Sequence, residues 1–121
     1  MNQPFDTKCA QLDDLLGVGR SFDMVSRELY VGGRRAKMWV VNGYAKDMLL
    51  ERTVEKLQAV KTLEDIGGVD DLLRRYITVC DAETCQDRMQ AVTDVFSGKT
   101  LLVVVGFDGG ILLDAKEFPT R

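Results

Sequence analysis

The sequence predicts an α/β domain: a mixed, mainly parallel sheet of about four strands with helices packed on its faces. Three observations point there. Met38-Trp39-Val40-Val41 is a short apolar run, rich in β-branched and aromatic residues and bounded by Gly33 and Gly43. It is too short for an ordinary helix and reads as a buried strand. Beyond Gly43 the period changes, with Leu50, Val54 and Leu57 at i, i+4 and i+7 among charged residues. That spacing marks an amphipathic helix over about Ala45 to Val60, packing back on the strand that feeds it. Leu101 to Val105 is apolar without a break, as a strand buried on both faces must be.

Taken in order, Leu12, Leu15 and Leu16 predict a short first helix from about Asp6, ending at Gly17 or Gly19. Ser21 as N-cap, with Phe22, Val25 and Leu29 at i, i+3 and i+7, predicts a second short helix. Tyr30-Val31-Gly32-Gly33 then turns the chain into a first strand over Ala36 to Val41. After the long helix, Gly67-Gly68 is a break, and Asp70 or Asp71 starts a helix with Val69, Leu72, Leu73 and Tyr76 on its apolar side. Ile77 to Cys80 reads as a short strand. Thr84 and Asp87 resemble a capping box for a helix whose stripe is Cys85, Met89, Val92 and Phe96, with Gly98 as the stop. The strands Leu101 to Val105 and Ile111 to Asp114 form a closing hairpin through Gly106 to Gly110. Strand, helix, strand units favour parallel pairing with right-handed crossovers. Val40-Val41-Asn42-Gly43-Tyr44 echoes Val104-Val105-Gly106-Phe107, so the two strands that leave the core through glycine and an aromatic are expected to be sheet neighbours. The polar tail Lys116 to Arg121 ends without a cap, which fits a chain cut from something longer.

Composition narrows the function classes. With 121 residues, 45% hydrophobic and 29% charged, the chain has the make-up of one globular domain. A net charge of −3, from 16 basic and 19 acidic residues, offers no general attraction to nucleic acid or to anionic lipid. No apolar run approaches the ~20 residues of a membrane span, and the start lacks the regions of a signal peptide. Three cysteines and no histidine fit a reducing compartment and remove the commonest general base and metal ligand.

The motifs that carry chemistry elsewhere have plainer readings here. Gly17, Gly19 and Ser21 before the expected second helix form a possible anion site, because free N–H groups at a helix start attract anions. The third glycine of a dinucleotide fingerprint and the Gly-Lys-Ser/Thr of a P-loop are missing, so a turn and cap is the simpler reading. Cys80 and Cys85 lack enough companions for zinc and read as small buried hydrophobes. Asp13-Asp14 and Asp70-Asp71 are sequence neighbours that point apart on a helix, unlike a catalytic dyad. Arg34-Arg35 and Arg74-Arg75 read as edge protection or rim ion pairs. With no nucleophile, base and orienter assembled, no enzyme, cofactor or metal is expected. Strand ends in open α/β sheets form crevices, which makes Asn42, Gly43 and Tyr44, together with Phe107 and Asp108, the expected ligand or partner contacts.

Leu16 to Leu29, Tyr30 to Ala36, the strand ending Val41-Asn42-Gly43, Lys46-Asp47, Leu73-Arg74-Arg75-Tyr76-Ile77, Phe96-Ser97-Gly98 and the closing Ala115 to Arg121 together resemble the GerA family, the A-subunit proteins of bacterial spore germinant receptors. The similarity spans about Leu15 to Arg121. Asn42 stands where many members carry an acidic residue, and Lys61 to Gly68 falls in a variable region. The resemblance implies a cytosolic α/β region joined to a membrane-embedded part that oligomerises and acts in ion movement during germination. It further implies a non-catalytic regulatory or scaffolding role, partnered by other germination-complex subunits, on the spore-interior side of the inner membrane. The competing expectation is a small-ligand or nucleotide-binding domain using Gly17 to Ser21.

Overall fold

The computed structural model describes residues 4–20, 24–41, 54–60, 66–76 and 81–114. Helix α1 (Phe5–Leu16) starts directly after Pro4 and buries Lys8, Cys9, Leu12 and Leu16 along one face. Gly17 closes it in the left-handed conformation, its N–H and that of Val18 returning to the carbonyls of Asp14 and Asp13. The next described segment is a strand, β1 (Met24–Val31), paired antiparallel with β2 (Arg34–Val41). The two-residue connection Gly32-Gly33 has φ of 59° and 83°, the positive values that a tight hairpin matched to strand twist requires and that glycine adopts freely.

A helical stretch at 54–58 and helix α2 (Val69–Tyr76) come after the hairpin, then β3 (Asp81–Cys85), α3 (Arg88–Phe96), β4 (Thr100–Val104) and β5 (Gly110–Asp114). The five strands make one sheet in the order β1-β2-β4-β5-β3, and every neighbouring pair is antiparallel.

This corrects the expectation of a mainly parallel sheet of about four strands. One strand, helix, strand crossover is present, since β3 and β4 are both antiparallel to β5 and therefore point the same way. They never pair, because β5 folds back from β4 and takes the place between them. A hairpin costs little loop entropy, so the last strand fills the gap that a parallel pair would have closed.

Three element assignments change with it. The expected helix from Ser21 is strand β1 from Met24 onward, with Leu29 and Val31 buried and Arg27 and Glu28 exposed. Cys85 ends β3 instead of opening a helix, and Asp87, not Thr84, caps α3 by accepting from the Met89 N–H. The buried face of α3 is Ala91, Val92 and Val95, leaving Met89 55% and Phe96 54% exposed. The expected strand Ile77 to Cys80 and most of the helix Ala45 to Val60 lie outside the described residues.

Side chains alternate across the sheet into two cores. Leu101 and Val103 of β4 meet Trp39, Leu112, Cys9, Leu12 and Leu16 beneath α1 and α3. Leu102 and Val104 meet Met38, Ile111, Leu113, Leu57 and Leu72 beneath the 54–58 stretch and α2. Helices thus cover both faces, and the unbroken apolar run of β4 is the part of the sequence that demanded it.

A cleft beside the β4–β5 loop as candidate functional site

The loop 105–109 leaves the sheet at the end where β2 begins and is tied from two directions. From α1, Lys8 Nζ donates to the carbonyls of Phe107 at 3.1 Å and Gly109 at 3.3 Å. From β2, Arg34 Nη1 donates to the Val105 carbonyl at 3.3 Å, and its guanidinium lies 5.1 Å from the centre of the Phe107 ring. The Val105 N–H donates to the Arg35 carbonyl at 2.8 Å. Gly109 has φ 75°, and a Cβ there would lie 2.8 Å from the Cys85 carbonyl, so only glycine fits. The loop is held by its surroundings rather than by its own composition.

Lys8 is 2% exposed. Burial lowers the pKa of its ammonium, and the Asp108 carboxylate works against that. Two carbonyl acceptors and a nearby carboxylate supply what a buried cation needs. Phe107 is buried while Asp108 is exposed.

Beside this loop opens a cleft of about 670 Å³. Its far wall is the start of α2, from Gly67 through Asp71, with Arg74 and Gln86 at the sides and Gly106, Phe107 and Asp108 on the near wall. The Gly67 N–H donates to Asp71 Oδ2 at 3.3 Å. Phe107 gives the cleft one aromatic contact, while Asp70, Asp71, Asp108, Arg74 and Gln86 make the rest of its lining polar and charged, which suits a polar segment of a partner better than an apolar small molecule.

Of the residues expected to make contacts, Phe107 and Asp108 line this cleft, whereas Asn42, Gly43 and Tyr44 lie outside the described residues. β2 and β4 are neighbours, as their matching exits implied, but they run antiparallel: Ala36 faces Val104, and Val41 lies five positions further along β2. At ~3.3 Å per residue, that separates the two strand exits by roughly 17 Å, so they open at opposite ends of the sheet.

Gly17 and Gly19 sit in the turn after α1, where Arg20 binds the Asp14 carbonyl at 2.6 Å and its carboxylate at 3.2 Å. Ser21 is outside the described residues. An anion cradle at this turn requires a helix start behind it, and the chain is instead a strand from Met24. Cys9 and Cys85 are both buried in the core under α1 and α3, and Cys85 Sγ lies 3.2 Å from the Asp87 carbonyl. Among the described residues, no group of three or more His, Cys, Asp or Glu is placed to hold a metal ion.

Sequence reasoning missed Lys8 and Arg34. The signal for Lys8 was its place four residues before Leu12 and eight before Leu16, on the stripe that α1 buries.

Among the described residues, no helix is long and apolar enough to cross a membrane. None of the curated proteins matches the chain. The fold is similar to the crystal structure of the N-terminal domain of the A subunit of the Bacillus megaterium spore germinant receptor GerK3, with a TM-score of 0.66 and 14% identity over 96% of this chain and 95% of that one. Residues 10–121 match the family described as Bacillus/Clostridium GerA spore germination protein. A match over that span, nearly the whole chain, places this protein in the GerA family of spore germination proteins.

Proposed function

We propose that the chain is a non-catalytic regulatory and scaffolding domain of a germination membrane complex. It would form a single α/β domain, the first part of the soluble region of a larger membrane protein, on the cytoplasmic side of the spore inner membrane. Family membership supports the germination role, and the fold shared with a receptor A-subunit domain supports a place in a receptor-like assembly. Within the family, we read the sequence as most similar to the stage V sporulation branch, and the complex would act in germinant response or ion release. Its partners are then other complex subunits and the membrane-embedded remainder of the parent, through which it can also self-associate.

One observation carries the contact site: the 105–109 loop is fixed by Lys8 and Arg34 while presenting Asp108 to solvent at the mouth of a cleft. Partner binding there shifts how domains pack, and that bias is passed to the membrane part. The test is germination of spores whose parent protein carries Asp108→Arg or Arg74→Glu, both at exposed positions where folding should survive. Germination should slow by about tenfold at unchanged protein level, as loss of a contact worth ~1.4 kcal/mol would give. Wild-type germination in both variants would defeat the reading.

A thermal-shift series with amino acids, sugars and nucleotides separates this from a small-ligand domain. No shift supports scaffolding. A shift abolished by Asp108→Arg moves the assignment to a ligand held in the cleft, and one abolished by Gly19→Ala moves it to an anion site at Gly17 to Ser21.

A further inference from the structure

The cleft lies on the α2 side of the sheet, and α1 lies on the other. The 105–109 loop rounds the sheet end between them, and Lys8 reaches it from α1 over a sequence separation of about a hundred residues. We propose that Lys8 couples the seating of α1 to the shape of the cleft, so that occupation of the cleft is registered on the opposite face of the domain. This deepens the reading above and rests on the cleft being the contact site.

The physical argument is that each partner loses hydrogen bonds when the other moves. Lys8 lies on the same buried stripe as Leu12 and Leu16, so its ammonium is carried into the protein by the packing of α1. If the loop shifts, that cation loses both carbonyls in a place where water is excluded, a penalty that favours release of the helix start. If α1 shifts, the Phe107 and Gly109 carbonyls lose their donor, while Arg34 and the tight fit of Gly109 against Cys85 remain. Because one side chain bonds both elements, any second position of the loop favours a second seating of α1, and that is the proposed coupling. Two further ties hold α1 to β2: Arg35 donates to Asp6 at 3.3 Å and lies over the Phe5 ring at the helix start, and Asp13 accepts from Lys37 and from the Trp39 indole. Trp39 is fully buried against α1 and is the chain's only tryptophan, so its fluorescence reports whether α1 is seated.

Hydrogen exchange on the 121-residue chain tests this, comparing wild type, Lys8→Met, Asp108→Lys and, as a control that loosens α1 without touching the loop, Lys37→Met. Lys8→Met should raise exchange in 105–109 and in α1 together, by about tenfold, while the β1–β2 amides keep wild-type rates. Asp108→Lys, which puts a second cation beside Lys8 from an exposed position, should speed exchange in α1 and increase quenching of Trp39 by acrylamide. If Lys8→Met does not fold, the Asp108→Lys variant decides the matter alone. The proposal fails if the loop variant leaves α1 exchange and Trp39 quenching at wild-type values, or if Lys37→Met, which loosens α1 with Lys8 in place, leaves exchange in 105–109 at the wild-type rate. A germination defect in the Asp108 variant without this exchange signature would retain the contact site and remove the coupling.

Discussion

Asp13 shows how much one side chain decides in this protein. It is half-buried on α1 and accepts from Lys37 at 3.0 Å and from the Trp39 indole N–H at 2.8 Å, while the Lys37 ammonium sits 5.6 Å from the indole ring. Replacing it with alanine strands a buried indole donor and a mostly buried cation at once. Asp13→Ala should therefore cost about 2–3 kcal/mol and Asp13→Asn, which keeps an acceptor for the indole, about 1 kcal/mol, read from urea unfolding midpoints. Equal losses would mean that charge, and not the indole bond, is what matters.

Cys9, four residues earlier on the same helix, gives a pH signature. Burial pushes its thiol from 9.0 up to about 11, against the pull of the Lys37 cation. Between those values the unfolded chain has lost a proton that the folded chain keeps, so the contribution of Cys9 to stability is constant well below pH 9 and falls as pH rises toward 11. The stability difference between wild type and Cys9→Ala should shrink by about 2 kcal/mol between pH 8 and pH 11. Lys8 acts with the opposite sign, because its folded pKa is lowered, but it is present in both proteins and largely cancels in the difference. A pH-independent difference would mean that the Cys9 thiol is not desolvated as the fold implies.

At the scale of elements, the readable parts were those whose signal is local. Gly17 as the stop of α1, the apolar β2 and β4, and the turn through Gly106 to Gly110 are all set by residues adjacent in sequence. β1 was hidden because an edge strand carries Arg27 and Glu28 exposed at its middle, which broke the alternation. Phe22, Val25 and Leu29 then matched a helical period by accident. The two-residue Gly32-Gly33 link with β-rich flanks was the better signal, since it demands a strand on each side. The stripe of α3 was half right, since Cys85 and Val92 are buried as expected, and the rest was misplaced for a related reason. Met89 and Phe96 are large and apolar but exposed, and the small Ala91 does the packing instead. The cleft was half legible, through Phe107 and Asp108, because a glycine-rich loop announces itself. Lys8 did not, since its acceptors lie in a hairpin at the other end of the chain.

For the whole molecule, the late strand β5 is the piece on which the rest depends. It is the described partner of β3, and it joins β3 to β4 so that the sheet continues from one edge to the other. Its residues serve both cores, with Ile111 and Leu113 on the α2 side and Leu112 on the α1 side, each at most 1% exposed. The loop that leads into it supplies both carbonyls for Lys8. Losing three such side chains at ~2–5 kcal/mol each matches or exceeds the whole stability of an ordinary domain, ~5–15 kcal/mol. A chain ending at Val105 should therefore be unfolded, with neither the far-UV signal of the sheet nor a buried Trp39. In the intact chain, Trp39 fluorescence and far-UV circular dichroism should lose structure at one common midpoint, because each face is braced by the same strand. Separate midpoints would show that the α1 side holds together without β5, and the antiparallel insertion would then be an addition to a stable core instead of the step that completes it.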